Sequence, residues 1–268
     1  MERKKIEIMD TTLRDGEQTS GVSFSAAEKL TIAQLLLEEL HIDRIEIASA
    51  RVSEGEFQAV KGITDWANEK GYIGQVEVLT FVDGGISIDW MKKAGAQVQN
   101  LLTKGSLNHL THQLKKTPEQ HFSEIAENIA LAQKEGIETN VYLEDWSNGM
   151  KNSPEYVFHF LDFLTQQPVK RILLPDTLGV LIPSETAVFI AETKQRYPNT
   201  HFDFHAHNDY DLSIANVLEA VKAGVDGLHL TVNGMGERAG NAPLSSAVAV
   251  INDFMPEKHI NVKESSLY

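Results

Sequence analysis

Two patterns of hydrophobic residues alternate along the chain. Short apolar runs are followed by longer segments whose apolar residues recur every three or four positions, the spacing of an α-helix with one buried face. The short runs predict eight strands, at Lys5–Met9, Arg44–Ala48, Val76–Phe81, Val98–Leu102, Glu138–Leu143, Arg171–Leu174, His201–His205 and Gly227–Val232. The predicted helices between them include Ala26–Leu40, Pro118–Lys134, Pro154–Gln166, Ser184–Arg196, Ile214–Ala223 and Pro243–Phe254.

This alternation of strand and helix predicts parallel strands joined by right-handed crossovers. Eight strands fit a (β/α)₈ TIM barrel better than a doubly wound sheet, which has about six. We therefore predict one α/β domain, a catalytic TIM barrel over residues 1–256, and at residues 257–268 the start of a helical extension that is cut short. Ser25 and Ser153 precede helical patterns and are expected to be N-caps.

Composition excludes several classes of function. The chain has 24 Lys and Arg against 38 Asp and Glu, a formal charge of −14, which disfavours nucleic acid and anionic membranes as partners. It has no cysteine, so disulfides, thiolate catalysis and cysteine-bound zinc are excluded. Neither a signal peptide nor an apolar stretch of about 18 residues is evident, and we expect a cytoplasmic protein. An anionic substrate would need a local cation or metal.

The strongest local signal is the segment HFDFHAHND on the seventh strand. Because side chains alternate across a strand, Asp203, His205 and His207 share one face and the aromatic residues between them share the other. Polar side chains inside a barrel are costly unless they bind something. Two imidazoles at this spacing suit a metal, although two hydrogen-bonded histidines at a barrel mouth remain an alternative.

Two further motifs follow the first and eighth strands. TLRDGEQ places Arg14 and Asp15 just beyond strand one, where Asp15 could join the histidines on a metal and Arg14 could bind a carboxylate or keto oxygen. NGMGERAGN follows strand eight and offers Asn241 as an oxygen ligand; its glycine spacing does not match the dinucleotide-binding pattern. Barrel closure brings strands one, seven and eight together, so we expect these motifs to meet.

Strands five and six end in VYLEDWSNG and LLPDTLG. Glu144 is a candidate base at the barrel mouth, with Asp145 as its competitor because neighbouring strand residues face opposite ways. Thr177 is suited to a hydrogen bond with a substrate carboxylate. The histidines other than His205, His207 and His229, including His109 and His201, are interpreted as structural, and His229 is left undecided.

Together, TLRDGEQ, HAHND and GMGERAGN resemble the hallmark segments of the metal-dependent family that contains the 2-isopropylmalate, homocitrate and citramalate synthases and hydroxymethylglutaryl-CoA lyase. The resemblance covers essentially the whole chain. It implies that Asp15, His205 and His207 bind a divalent ion such as Mg²⁺, Mn²⁺ or Zn²⁺, with Asn241 in the metal shell. It also implies that Arg14 polarises the keto oxygen.

The same resemblance assigns Thr177 to the substrate carboxylate and makes Glu144 half of the catalytic base. Within the family, the segments around strands two, four, five and six look closest to the citramalate synthases, which join acetyl-CoA to pyruvate. Leu79, Leu102 and Tyr142 then correspond to the apolar wall of a small substrate pocket.

These correspondences imply a condensing enzyme of isoleucine biosynthesis that acts as a homodimer. A 2-isopropylmalate synthase using 2-oxoisovalerate is the nearest alternative. A lyase is disfavoured because the family's lyases carry a cysteine after strand eight. The synthases also continue into helical subdomains that complete the acetyl-CoA site, so a metal-binding barrel without turnover is a further alternative.

Overall fold

The computed structural model describes residues 4–263, and its central feature is a closed barrel of eight parallel strands. All eight predicted strands are present. We label them β1 Glu7–Asp10, β2 Arg44–Ser49, β3 Val76–Phe81, β4 Val98–Lys104, β5 Glu138–Glu144, β6 Arg171–Asp176, β7 Phe202–Ala206 and β8 Gly227–Leu230.

Each strand pairs with its neighbours in sequence, and β8 closes the barrel on β1. Asp10 at the end of β1 is in register with Leu230 of β8 on one side and with Ile45 of β2 on the other. The ends of β1, β7 and β8 therefore lie together, as expected from closure.

Among the described residues, one principal helix follows each strand and packs on the outside of the barrel. These helices are α1 Ala26–Gln34, α2 Glu54–Lys70, α3 Ile86–Ala94, α4 Pro118–Lys134, α5 Pro154–Leu164, α6 Pro183–Arg196, α7 Ser213–Ala223 and α8 Leu244–Phe254. Shorter helical segments lie at Gly16–Gln18, Leu35–Glu39, Ile73–Gln75, Leu107–His109, Leu110–Leu114, Trp146–Asn152 and Val232–Gly234.

The two predicted N-caps differ in outcome. Ser25 forms a capping box with Glu28 at the start of α1, in which each side chain binds the other residue's backbone N–H. Ser153 precedes α5, but its side chain caps nothing there. Its hydroxyl instead donates to Gly149 O at 3.4 Å. Gly149 belongs to the short helix Trp146–Asn152, which ends immediately before Ser153.

The helical turn predicted after α8 is wrong for residues 257–263. Lys258–His259 forms a short strand parallel to Lys4–Lys5, at the end of the barrel where β1 begins. Ile260 and Val262 are buried on the barrel, and this two-residue period is that of an extended chain. Tertiary pairing therefore decides the local structure, and residues 264–268 of the predicted extension lie outside the described part.

Two apolar layers surround the strands. The larger lies between barrel and helices and includes Phe202 and Phe204, the apolar face predicted for β7. The smaller lies inside the barrel and consists of Met9, Leu79, Tyr142 and Leu173, with Leu102 packed against it. This inner layer separates the barrel mouth from a buried polar network near the opposite end. In the described range, no helix has the length and apolar composition needed to cross a bilayer.

Candidate active site

A cavity of about 250 Å³ opens at the C-terminal end of the strands, where active sites of TIM barrels lie. Nine of the ten predicted site residues line it. They are Arg14, Asp15, Leu79, Leu102, Tyr142, Glu144, Thr177, His205 and His207. The tenth, Asn241, is adjacent through a backbone bridge to His207. The structure thus assembles residues that are up to 227 positions apart, from 14 to 241, at one place.

Asp15, His205 and His207 form a compact cluster at the base of this cavity. Their candidate ligand atoms all lie within 4.8 Å of one another. Asp15 Oδ2 is 3.2 Å from His205 Nε2 and 3.8 Å from His207 Nε2, and the two Nε2 atoms are 3.3 Å apart. Within residues 4–263, no other group of three such side chains has this geometry.

The chemistry of the cluster fits a divalent cation. Both oxygens of Asp15 are buried without a hydrogen bond of ordinary geometry, although buried polar atoms are normally satisfied. Burial raises the pKa of Asp15, but Arg14 and the imidazoles outweigh it and hold that pKa well below its usual value. Burial and His205 lower the pKa of His207 to about 4. A carboxylate and two neutral imidazoles are the forms that bind metals.

Asn241 is held beside the cluster by a tight glycine-rich turn. Its Nδ2 donates to Met235 O at 3.0 Å, and its buried Oδ1 has no hydrogen-bond partner among the described residues. Gly240 has a φ of +89°, and a Cβ there would lie 2.1 Å from Gly234 O, so only glycine fits. The unpartnered oxygen is consistent with the predicted oxygen ligand, and the glycines serve the turn.

Arg14 lies between the metal cluster and the pocket wall. Its Nε donates to Glu46 at 2.6 Å, its Nη1 is 3.3 Å from Asp15 Oδ2, and its Nη2 donates to Tyr142 Oη at 3.4 Å. Glu46 is fully buried and also accepts from Asn100 at 2.8 Å. Sequence reasoning missed Glu46, although a charged residue inside the apolar strand RIEIAS was a usable signal.

Leu79, Leu102 and Tyr142 form one wall of the cavity. They belong to the inner apolar layer, so the wall is backed by packed side chains. The Tyr142 hydroxyl lies 2.9 Å from His229 Nδ1, which places the undecided histidine inside the barrel directly behind the wall. The wall carries no charged side chain of its own.

Glu144 lies at the rim and its Oε2 pairs with Lys104. The other carboxylate oxygen is 3.9 Å from His109 Nδ1, and His109 Nε2 is 3.4 Å from Asp145 Oδ2. His109 was interpreted as structural, yet the folded chain brings it close to the candidate base. Asp145 is buried, accepts from Ser106 at 2.7 Å and does not line the cavity, which favours Glu144.

Thr177 is fixed from two sides. Its Oγ1 accepts from Asp145 N at 2.8 Å, and its carbonyl oxygen accepts from Arg238 at 2.8 Å. Arg238 is held in turn by Asp209 and by Glu237. Because its oxygen already accepts, the Thr177 hydroxyl keeps its hydrogen for a ligand.

The family model described as HMGL-like matches residues 5–266. The chain belongs to the HMGL-like family. It is 33% identical over 266 residues to a 2-isopropylmalate synthase of Sulfurisphaera tokodaii, covering 99% of this chain and 66% of the relative. It is 32% identical over 250 residues to a candidate (R)-citramalate synthase, CimA, of Methanopyrus kandleri, covering 93% of this chain and 47% of the relative.

Solved structures agree on the fold. The HMG-CoA lyase of Bacillus subtilis superposes with a TM-score of 0.83 at 22% identity, covering 100% of this chain and 92% of that one. The curated relatives are longer, and the chain spans between about half and two thirds of their length.

Proposed function

We propose that this chain is the catalytic barrel of an enzyme that condenses acetyl-CoA with a 2-oxo acid, with pyruvate as the first candidate. The observation that carries the proposal is the meeting of three features in one small cavity. These features are the cluster of Asp15, His205 and His207, the arginine fork of Arg14 and an uncharged apolar wall. Relatives named as synthases of 2-isopropylmalate and citramalate support the same class of reaction.

The residues around the cavity suit a 2-oxo acid. Arg14 and Thr177 offer donors for its carboxylate and keto oxygen. A divalent ion held by Asp15, His205 and His207, with Asn241 as a further oxygen ligand, would supply Lewis-acid polarisation of the keto group. The apolar wall then receives the side chain of the substrate.

Glu144 would act as the base. It would take a proton from the acetyl methyl group, and the resulting enolate carbon would form a bond to the keto carbon of the oxo acid. The keto oxygen becomes an alkoxide beside Arg14, where positive charge stabilises it, and then takes up a proton. Water cleaves the thioester and releases the CoA thiol. With pyruvate the product is citramalate, which belongs to isoleucine biosynthesis.

A 2-isopropylmalate synthase is the second candidate, because several relatives carry that name. It would run the same chemistry on 2-oxoisovalerate, for leucine biosynthesis, and the bulkier substrate would have to fit against Leu79 and Leu102. A homodimer and a cytoplasmic location, both expected from the sequence analysis, belong to the proposal as well.

A thiol-release assay tests the proposal. We expect CoA release from acetyl-CoA to require both a 2-oxo acid and Mg²⁺, Mn²⁺ or Zn²⁺, with pyruvate preferred over 2-oxobutyrate and 2-oxoisovalerate. A preference for 2-oxoisovalerate would select the second candidate. Metal binding with no thiol release for any oxo acid would contradict turnover by this chain.

The metal site is tested separately by His207→Ala. Removing one of the two histidine ligands should weaken Mn²⁺ binding by at least about 100-fold while leaving the fold intact. Calorimetric titration measures the affinity, and circular dichroism checks the fold. His201→Ala is a matched control, since His201 immediately precedes β7 but pairs with Asp203 away from the cluster. Unchanged affinity in His207→Ala would contradict the ligand assignment.

A further inference from the structure

Three buried side chains connect the wall of the cavity to the interior of the barrel. Tyr142 Oη lies 2.9 Å from His229 Nδ1, and His229 Nε2 lies 3.0 Å from Asp203 Oδ2. The same Asp203 oxygen accepts from Arg44 at 2.5 Å. None of these four residues is more than 3% exposed, so water does not compete for their hydrogen bonds.

The partners of Asp203 set the direction of this chain of hydrogen bonds. Its Oδ1 faces His201 and its Oδ2 faces both Arg44 and His229. A carboxylate paired with a guanidinium only accepts, so His229 Nε2 must carry the hydrogen. A neutral imidazole protonated at Nε2 has a lone pair at Nδ1. Tyr142 must therefore donate its one hydroxyl hydrogen to His229.

This direction decides what Tyr142 offers to the cavity. With its hydrogen committed behind the wall, the hydroxyl presents only lone pairs on the side of Arg14, whose Nη2 lies 3.4 Å away. Glu46 and Asp15 hold the other two nitrogens of the guanidinium. Each of the three nitrogens of Arg14 thus faces one acceptor.

We propose that His229 is a positioning residue that fixes the Tyr142 hydroxyl as a hydrogen-bond acceptor for Arg14 at the wall of the 2-oxo acid pocket. This inference rests on the proposed function for the identity of the ligand, but not for the hydrogen-bond direction. A 2-oxo acid meets the donors of Arg14 and no competing donor from the tyrosine. A second carboxylate on the substrate would meet the lone pairs of Tyr142, which favours an uncharged side chain.

The local backbone makes room for this arrangement. Gly227 begins β8 beside Asp203, and a Cβ at that position would lie 2.1 Å from Asp203 Oδ1. Any larger residue would push the carboxylate away from its present partners. A glycine at this point of the strand is therefore explained by the carboxylate that anchors His229.

The first experiment reads the hydrogen positions directly. Histidine labelled with ¹⁵N allows long-range ¹H–¹⁵N spectra to report which ring nitrogen is protonated. We expect one neutral ring with hydrogen on Nε2 and an unprotonated Nδ1, assigned to His229 by its disappearance in His229→Asn. A hydrogen on Nδ1, or an imidazolium at neutral pH, would overturn the proposal. The result needs no turnover, so it is separate from the fate of the proposed function.

The second experiment uses four variants and the Kd for pyruvate in the presence of Mn²⁺, measured by calorimetry. His229→Gln and Tyr142→Phe should each weaken binding about ten-fold, the effect of one lost hydrogen bond. Their double variant should be no weaker than Tyr142→Phe, because the histidine acts through the tyrosine. His229→Asn can place its side-chain oxygen near the position of Nδ1 and should restore most of the affinity.

Additive effects of the two single substitutions, or His229→Asn as weak as His229→Gln, would contradict a role through Tyr142. If the substitutions at 229 prevent folding, as judged by Tm, the Nδ1 signal that shifts in labelled Tyr142→Phe identifies His229, and the wild-type spectrum then still tests the proposal. If the wild-type protein does not bind pyruvate at all, the proposed substrate fails, and the spectra alone decide the hydrogen-bond direction.

Discussion

Arg14 and Arg44 both lie inside the barrel, one near each end, with side chains 11% and 3% exposed, but their surroundings differ. Arg14 at the C-terminal end faces two carboxylates and a tyrosine, and it lines a cavity. Arg44 near the opposite end contacts Glu7, Glu77 and Asp203, and the carboxylates at 77 and 203 are fully buried. The first arginine has ligand space beside it, and the second neutralises charge that water cannot reach.

The difference shows that burial of a charged residue does not by itself indicate function. A buried ion pair is costly to break, since the remaining charge has no solvent. At Arg44 this cost opposes unfolding and therefore contributes to the stability of the barrel. At Arg14 the cavity admits water or a ligand, so the same residue type can exchange partners. Position relative to the strand ends distinguishes the two, because Arg44 begins β2 whereas Arg14 follows the end of β1.

The largest predicted effect comes from replacing each arginine by methionine. Arg44→Met leaves Glu77 and Asp203 without their cation and should lower the free energy of unfolding by about 3–5 kcal/mol. Arg14→Met should lower it by only about 1–2 kcal/mol, because Glu46 keeps its hydrogen bond from Asn100. Thiol release should fall by about 100-fold to 1,000-fold in Arg14→Met.

Urea unfolding and the thiol-release assay measure the two effects, and each variant is the control for the other. Equal loss of stability in both variants would remove the contrast between the two ends of the barrel. An active Arg14→Met variant would remove the role of Arg14 in the proposed reaction.

The same contrast explains which parts of the molecule could be predicted from sequence. The strands and their order follow from local periodicity and from the rule for parallel crossovers, and residues at strand ends, such as Asp15 and His205, could be placed together by closure alone. The network around Arg44 could not be predicted, because its partners lie on β3 and β7 and their heights inside the barrel are not local properties. Glu46 is different, because a charged residue inside the apolar strand RIEIAS is a local signal that could have identified it.

The residues after α8 show how a local pattern can predict the wrong structure. A helix was predicted to begin after α8, but Lys258–His259 pairs with Lys4–Lys5 and Ile260 and Val262 are buried. Contacts distant in sequence outweigh a weak local preference there. His109 beside Glu144 belongs to the same class, since only the folded loop after β4 brings it to the rim.

Two buried aspartates, Asp203 and Asp10, have pKa values that are shifted in opposite directions. Burial raises the pKa of Asp203, but Arg44 and the neighbouring histidines outweigh it and hold that pKa well below the usual value. Asp10 at the end of β1 has no cation beside it among residues 4–263. Its Oδ1 accepts from Thr12 N at 2.8 Å, its Oδ2 has no partner, and burial raises its pKa to about 7.

A raised pKa in the folded state means that protonated Asp10 contributes stability at low pH that is lost as pH rises. The contribution is fully present below the ordinary value of 3.8 and is lost as pH rises through about 7, a difference on the order of 4 kcal/mol. The contribution of Asp203 to stability changes with pH in the opposite direction, since it is lost as pH falls. Asp10→Asn should remove only the first effect.

Urea unfolding of the wild-type protein and of Asp10→Asn between pH 5 and pH 8 checks this expectation. The variant should gain stability relative to the wild type as pH rises, because its amide accepts from Thr12 N without ionising. Parallel stability profiles would show that Asp10 keeps an ordinary pKa in the folded protein.

The smallest predicted effect concerns the layer between the two arginines. Leu79 and Leu173 belong to the same inner cluster, but only Leu79 lines the cavity. Leu79→Ala should shift the ratio of kcat/KM towards 2-oxobutyrate and 2-oxoisovalerate, relative to pyruvate, by about ten-fold, since one methylene in a pocket is worth about 1–3 kcal/mol. Leu173→Ala is the matched control and should cost about 2–5 kcal/mol of stability with no change in preference.

The two leucine variants separate enlarging the pocket from loosening the barrel. Space made at position 79 is open to a longer substrate side chain, whereas space made at position 173 is closed off and remains a void. Thiol release over the three oxo acids gives the preference, and urea unfolding gives the stability. A change of preference in both variants would mean that general loosening of the inner layer, and not the cavity wall at Leu79, controls which oxo acid is accepted.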